Sequence, residues 1–244
     1  MSQKYDLMKR FRAHQRGVEE PSEKSLARRE LADQLRGLLH AIGSSHATSQ
    51  EMREIAGELR KQREVLTAAS ESKAPSVATE PARVPGMADF HDRSPVAGRA
   101  NPVAPPATLG VDPDAEIVVG EVTFGTAFEG VPGCVHGGFV AAVLDEALGM
   151  ASAFSGTTCM TAELTTRYRR HTPVSTALRI EARLVSTDGR KVQTTGEVYH
   201  GDVVVAEGIG LFFVVDAAKF ERLVAARSEK TAVSAAIPRR KKAD

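Results

Sequence analysis

The sequence predicts an α+β fold in which an antiparallel sheet wraps around one long helix. Residues Phe139–Phe154 have helical periodicity, with apolar side chains on one side and small side chains on the other. Several later segments alternate between apolar and polar residues, as half-buried strands do. Asp188-Gly189, a common hairpin-turn pair, separates two of these segments, so neighbouring strands are expected to run antiparallel.

The long helix has the clearest pattern. At about 100° per residue, its apolar residues form a stripe that predicts packing against the sheet. The opposite side carries one acid among small residues, and its members are Ala141, Ala142, Asp145, Gly149 and Ser152. Such a side allows a ligand or a partner helix to approach closely, and it places Asp145 in a partly dry position.

The predicted strands lie on both sides of this helix in the chain. The first is Ile117–Phe124, which is β-branched and alternating. In Thr158–Arg169, alternation places Met160 and Ala162 on the apolar side and Thr161 on the polar side. The remaining strands are Leu178–Leu184, Val192–Tyr199 and Val203–Val215.

A helical extension is predicted over residues 1–70. Ser22–Ala41 begins at a suitable N-cap, Ser22, and has leucines at helical spacing. Ser49–Thr67 repeats apolar residues along one narrow seam. We interpret the extension as a helical hairpin or an oligomer contact.

The other segments are assigned from composition. Residues 71–110 are rich in Pro, Ala and Ser and are predicted as a linker and lead-in. Residues 111–216 are predicted to form the sheet-and-helix domain. Residues 217–244 are predicted as a charged tail that ends in the basic run Arg239–Lys242. We interpret this run as solvated, with a nucleic-acid or membrane contact as the alternative.

Composition limits the class of protein. The chain has 244 residues, of which 42% are hydrophobic, so it can bury a core, and without Trp that core is mostly aliphatic. The net charge of +1 argues against a general nucleic-acid binder. Met1–Arg16 is charged and lacks an apolar signal region, and no span approaches about 18 apolar residues. We therefore expect a cytoplasmic protein without stable membrane insertion.

The two cysteines, Cys134 and Cys159, are too few for a disulfide framework or a cysteine zinc site. We expect neither a metal nor a cofactor. Cys134 is interpreted as a small buried filler, with a reactive thiol as the alternative.

The segment Gly133–Gly138, with the sequence GCVHGG, is the most informative one. Its glycines permit a tight turn before the helix, whose first turn has unpaired N–H groups and a partial positive charge. These groups can polarise a carbonyl oxygen, and Asp145 can act as a general base beside them. The alternative is that the glycines only begin the helix, with His136 near the cap and Asp145 solvated.

Ordered motifs within Thr123–Val215 resemble the hotdog-fold acyl-CoA thioesterases, in particular the phenylacetate-degradation (PaaI) type and the animal thioesterase-superfamily members. The resemblance implies a hotdog fold, thioester hydrolysis, and a homodimer or higher homo-oligomer with sites between subunits. The motifs that carry it are Phe128–Gly138, Asp145–Met150, Met160–Leu164 and Arg167–Pro173.

The resemblance also implies roles for individual residues. Asp145 matches the catalytic carboxylate, which acts as a general base or as a nucleophile. Thr161 matches a hydroxyl that helps to orient the attacking water. The backbone amide of Gly138 matches the oxyanion donor, while His136 and Gly137 shape the turn.

Four further residues are candidates for substrate contacts. Glu146 lies roughly 100° from Asp145 around the helix, off the small-residue side. Other hotdog branches use a Glu on this helix. Arg169 and Arg170 are candidates for the CoA phosphates, with solvated strand-end arginines as the alternative. Phe139 is expected at the pocket floor.

We therefore expect an acyl-CoA thioesterase whose partner is its acyl-CoA substrate and not a nucleic acid. The alternative is a non-catalytic acyl-CoA-binding module that signals through its N-terminal helices, and a hotdog hydratase is a weaker third option. The N-terminal residues show no helix-turn-helix pattern with a basic recognition face. Asp145 together with Thr161 favours catalysis, because a pure binding module needs neither.

Overall fold

A six-stranded antiparallel sheet wraps around one central helix in the computed structural model of this chain. The structure describes residues 22–71, 92–112 and 114–215. Numbered along the chain, the strands lie in the order 1-2-4-5-6-3 across the sheet. This arrangement confirms the α+β class and the hotdog fold with an N-terminal helical region. The strands are β1 (Thr108–Asp112), β2 (Ile117–Thr123), β3 (Cys159–Tyr168), β4 (Ala177–Asp188), β5 (Lys191–His200) and β6 (Val203–Val214), and the helices are α1 (Glu23–Ser44), α2 (Ser49–Glu71) and α3 (Gly137–Ser152).

The core lies between α3 and the inner face of the sheet. The apolar side of α3 is buried as predicted, and most of the small side is half-buried. Ser152, predicted on the small side, is buried as well. Each large apolar side chain contributes about 1.5–3 kcal/mol when it is fully buried. The central members of the core are Val140, Val143, Leu144 and Leu148 of α3 with Val118, Leu178, Ile180, Val198 and Phe212 of the sheet.

All the predicted strands are present, and the sheet has one more. The hairpin turn after Asp188 is confirmed, with Gly189 at φ 55°. The additional strand, β1, begins in the predicted linker and lead-in (71–110) and ends in the predicted domain (111–216). Its five residues bury only Val111, so the strand leaves almost no alternation in the sequence.

Residues 92–107, which belong to the predicted linker and lead-in, pack against the sheet-and-helix unit. Val96 and Ala107 are buried in the core cluster. The Gly98 N–H donates to the Ser94 carbonyl at 3.1 Å, and the coil is so tight that a Cβ on Gly98 would lie 2.4 Å from that oxygen. Small residues and prolines are typical of flexible linkers and of tightly turned coil, so composition alone does not separate the two.

Helix α1 attaches to this coil through polar contacts. It begins as predicted, with the Ser22 Oγ accepting the Ser25 N–H at 3.2 Å. The Ser25 hydroxyl and the Arg29 Nε both donate to Asp92 Oδ2, at 3.0 and 2.8 Å. The buried Arg36 donates to two backbone carbonyls of the same coil. The sequence predicted the helix, but not the polar residues through which it attaches.

The two N-terminal helices belong to different compact units, α1 to the unit of the sheet and α2 to a second one. The leucine stripe of α1 does not face the sheet, since Leu31 and Ile42 are 44% and 61% exposed. At the start of α2, Thr48, the residue before the helix, and Glu51 exchange hydrogen bonds in a capping box. The hairpin or oligomer contact stays a prediction, and the basic tail lies outside the described residues.

A β-bulge in β3 changes the side-chain directions that alternation predicts. The register with β6 shifts between Thr161 and Glu163, so Ala162 is the extra residue. As a result, Thr161 lies on the side of α3 instead of on the outer face. Leu164, beyond the bulge, also packs on the core, whereas Met160 is 54% exposed.

The segment Gly137–Ser155 is long and apolar enough to cross a membrane by length and composition alone. The expectation that no span approaches 18 apolar residues is therefore wrong. Half of this segment is buried within the structure, as is typical of a core helix under a sheet.

A substitution at Gly120 in β2 tests how closely β1 and β2 pair. A Cβ added there would lie 2.3 Å from the Thr108 carbonyl oxygen. We predict that Gly120→Ala lowers the free energy of unfolding by about 1–3 kcal/mol because β1 must move away. The control is Gly37→Ala in α1, where nothing lies within 4 Å of the added atom. In this control, alanine should stabilise the helix by roughly 0.5–1 kcal/mol. Chemical denaturation measures both values, and equal stabilities would contradict the close contact.

Candidate active site

A glycine turn directly before α3 is anchored by backbone hydrogen bonds. Gly133 has φ 77°, in the left-handed region that favours glycine. The His136 N–H donates to the Phe128 carbonyl at 2.9 Å, and the Val135 N–H donates to the Thr172 carbonyl at 2.8 Å. The turn is therefore fixed before the helix begins.

His136 caps α3 with its side chain. Its backbone is extended, and its Nδ1 accepts the Gly138 N–H at 3.1 Å. The Gly138 N–H, which the resemblance assigns as the oxyanion donor, is thus already engaged. Within the described part of the chain, the neighbouring Gly137 N–H has no acceptor. The Gly137 N–H is therefore the donor that this turn leaves available, and the role of Gly138 stays a prediction.

Tyr168, at the end of β3, holds the same turn from the sheet side. Its hydroxyl donates to the Gly137 carbonyl at 2.8 Å. A Cβ on Gly137 would lie 3.1 Å from the tyrosine ring, so the ring covers this glycine closely. The sequence analysis missed Tyr168, because a strand pattern gives no signal for a contact with the start of a helix.

Asp145 and Thr161 come together as expected. The Thr161 hydroxyl donates to Asp145 Oδ1 at 3.0 Å. Asp145 is half-buried on the small side of α3, and Thr161 is exposed on β3. Over the residues that the structure describes, the second carboxylate oxygen accepts no hydrogen bond. One oxygen is held and the other is available, as a general base or a nucleophile requires.

The turn and the carboxylate of one chain are too far apart to act on one carbonyl group. Gly137 and Asp145 are eight positions apart on α3, and at roughly 1.5 Å per residue this is about 12 Å along the axis. A reacting carbonyl needs both groups within about 3 Å. Within one chain these two groups do not meet, and the site between subunits that the resemblance implies stays a prediction.

Glu146 points to the coil before β1 and not to the small side of α3. The buried Ser94 hydroxyl donates to Glu146 Oε1 at 2.9 Å. Burial raises the pKa of Glu146 above its usual range, the Ser94 hydrogen bond counteracts this, and the negative charge of Asp145 raises the pKa further. The carboxyl group is thus used in an internal contact. Its contact with substrate stays a prediction.

The remaining candidates for substrate contacts are not gathered at one place. Arg169 forms an ion pair with Glu207 at 2.8 Å, so its guanidinium is engaged. Arg170 is exposed, and its side chain has no partner in the described ranges. Phe139 is half-buried and stands edge-on to Phe128, with ring centroids 4.9 Å apart. Its ring is thus packed within the protein instead of lining an open floor.

Cys134 and Cys159 are both free and half-buried. In residues 22–71, 92–112 and 114–215, no three His, Cys, Asp or Glu side chains group as metal ligands would. The reactive groups that the structure brings to α3 are a carboxylate, a hydroxyl and backbone N–H groups.

Comparisons with known proteins match the part of the chain that contains these residues. The profile of the thioesterase superfamily matches residues 132–207, which include the turn, α3 and β3 to β5. A crystal structure of a thioesterase superfamily protein superimposes on the chain with a TM-score of 0.64 and 34% sequence identity. The match covers 76% of this chain and 94% of that one.

Curated relatives include the acyl-coenzyme A thioesterase THEM4 of two mammals. The Bos taurus protein is 34% identical over 97 residues, which are 39% of this chain and 40% of the relative. The Mus musculus protein is 31% identical over 97 residues, which are 39% of this chain and 42% of the relative. The chain thus matches less than half the length of these curated relatives.

Glu146→Gln tests the half-buried carboxyl group, since glutamine keeps an acceptor for Ser94 without a charge. Because the pKa of Glu146 is raised from its ordinary 4.5, its stabilising contribution is complete only below that value and is lost as pH rises through the folded pKa. We predict that the variant melts roughly 2–4 °C higher than wild type at pH 7, and that the difference vanishes near pH 4.

Thermal melts across this pH range measure the effect. Glu163→Gln is the matched control, because Glu163 is exposed on β3. It should show no such pH dependence. A Glu146→Gln protein less stable than wild type at pH 7 would contradict the assignment.

Proposed function

Because the chain belongs to the thioesterase superfamily, we propose that it hydrolyses acyl-CoA thioesters to a free acid and CoA. The observation that carries this proposal is the 3.0 Å hydrogen bond from Thr161 to Asp145, which holds a half-buried carboxylate on the small side of α3. A carboxylate held in this way acts on water or on an acyl carbonyl. The names of the curated relatives support acyl-CoA as the substrate.

Asp145 begins the reaction by one of two routes. It removes a proton from the water that attacks the thioester carbonyl, or it attacks the carbonyl itself to form a mixed anhydride that water then hydrolyses. In both routes the C–S bond breaks and CoA leaves as a thiolate, which needs little acid assistance. The Gly137 N–H stabilises the negative charge that develops on the carbonyl oxygen.

The complete site combines two copies of the chain, with Gly137 of one subunit near the partner's Asp145. The distance of about 12 Å between these groups along one helix supports this arrangement. Strand β3 supports it too, because it lies at an edge of the sheet and exposes Met160 and Tyr168. The protein acts as a homodimer or a larger homo-oligomer.

Arg170 contacts the CoA phosphates in this proposal. Its guanidinium is exposed at the end of β3, close in sequence to the Tyr168 that covers the turn. Arg169 is less suited to this role because Glu207 already pairs with it. Arginine binds phosphate through paired N–H donors, which adds geometric specificity to charge attraction.

Asp145→Asn tests the catalytic carboxylate. We predict that it lowers kcat by about 10²–10⁴-fold, the range for loss of a general base. Thr161→Ala should lower kcat less, by about tenfold, and Thr161→Ser should restore most of it because the hydroxyl is kept. The measurement is thiol release from short-, medium-, long-chain and aryl acyl-CoAs. Asp188→Asn, at an exposed turn, is the control.

Two outcomes would change the proposal. Substantial turnover by Asp145→Asn would remove this residue from the mechanism. If wild type releases no thiol from any acyl-CoA while both proteins bind it, the chain is a binding module instead of an enzyme.

Gly137→Pro tests the backbone donor, because proline lacks the N–H. Proline is favoured at the first position of a helix, and the preceding His136 already has the extended backbone (φ −60°, ψ 129°) that proline requires. We predict that kcat falls by about 10²–10³-fold. Gly137→Ala, which also adds a Cβ near Tyr168 but keeps the N–H, should lose much less activity.

Mixing the two inactive chains tests whether the site is shared. If it is shared, chains with Asp145→Asn and chains with Gly137→Pro form mixed dimers in which one site has both intact groups. Random assembly should restore about a quarter of the wild-type sites. No recovery in a verified mixed dimer would contradict a shared site.

A further inference from the structure

We propose that His40 of helix α1 is a positioning residue for the glycine turn that begins α3. The proposal rests on the proposed thioesterase function, for which this turn supplies the oxyanion donor. His40 touches no reacting group and acts through the aromatic side chains between it and His136.

The His40 ring lies directly on the backbone of Gly125, where the chain leaves β2. A Cβ on Gly125 would lie 2.1 Å from the ring carbon Cε1, closer than real contacts allow. The Ala127 N–H points to the ring Nδ1 at 3.4 Å. Gly125 has φ −79° and ψ −178°, which any residue adopts. The ring of His40, and not the backbone, therefore requires glycine at this position.

A series of ring contacts connects His40 to the turn. The His40 ring lies 6.3 Å from the buried Phe128 ring, centroid to centroid. Phe128 stands edge-on to Phe139 at 4.9 Å, and Phe139 lies 6.2 Å from the ring of His136. The Phe128 carbonyl also accepts the His136 N–H. The short 3-10 helix Thr126–Phe128 thus holds both the main chain and the ring of the residue that caps α3.

Loss of the His40 ring leaves a gap over Gly125 and removes one support of this short helix. The His136 cap, and the Gly137 peptide beside it, then lose their fixed position. A displaced donor stabilises the transition state less well, because small errors of position lower the rate steeply. The proposed phosphate contact, Arg170, lies outside this series of rings, so we expect the effect on kcat with KM nearly unchanged.

The test removes the contact between His40 and Gly125 by changing either residue. His40→Ala deletes the ring, and Gly125→Ala forces the ring away. We expect each to lower kcat for acyl-CoA hydrolysis by about tenfold, a fraction of the loss that a displacement of 1 Å can cause. The double variant should be no worse than His40→Ala, because the added methyl group occupies the space that the ring leaves. His46→Ala, at an exposed histidine, is the control.

The outcomes separate positioning from stability. Wild-type kcat in both single variants, or effects that multiply in the double variant, would overturn the proposal. A lower melting temperature with unchanged kcat would also overturn it. If His40→Ala does not fold, His40→Gln replaces it, since glutamine keeps an acceptor for Ala127 and loses the ring.

A second measurement keeps this proposal separate from the enzymatic one. Absence of thiol release by wild type would refute the thioesterase function alone. Amide NMR of 15N-labelled protein then decides the positioning role. Changed shifts of the Gly137 and Gly138 amides in His40→Ala would support it, and unchanged shifts would overturn it.

Discussion

Burial of one side of α3 against the sheet is the interaction on which the rest of the structure depends. Apolar residues from Val140 to Ala151 lie on that side, and the sheet curves around them. The packing fixes the rotation of the helix about its axis, so the opposite, small side faces outward with Asp145 on it. It also fixes where the helix begins, and therefore where the glycine turn lies. The positions of Asp145 and of the glycine turn both follow from this one contact.

Strand β3 serves both ends of the site. Near its start, the Thr161 hydroxyl holds the Asp145 carboxylate. At its end, the Tyr168 hydroxyl holds the Gly137 carbonyl. A strand with strict alternation would have left Thr161 on the outer face, so the bulge at Ala162 is what allows one strand to reach α3 twice. The site is thus positioned by a helix packed on a sheet and by one irregular strand.

The sequence predicted those features whose pattern is local. Alternation and helical periodicity identified α3 and the strands after it, and the glycine turn with Asp145 identified the region of the site. Features that depend on distant partners were missed. Nothing near Ser94 indicates that its hydroxyl meets Glu146, and nothing in the HGG motif shows that the cap of His136 engages Gly138 and leaves Gly137 free. The packing of residues 92–107 was missed for the same reason, because their burial depends on residues far along the chain.

The coil of residues 92–107 determines where the N-terminal boundary of this domain lies. A boundary drawn at residue 111, where the composition changes, would remove the hydroxyl that faces Glu146 and the buried Val96 and Ala107. The carboxyl group of Glu146 would then lose its hydrogen bond and become exposed to water beside Asp145. The sheet and α3 alone are therefore an incomplete domain, because part of their core comes from the coil of residues 92–107. A fusion protein that contains this domain, natural or engineered, therefore has to include residues 92–107 as well.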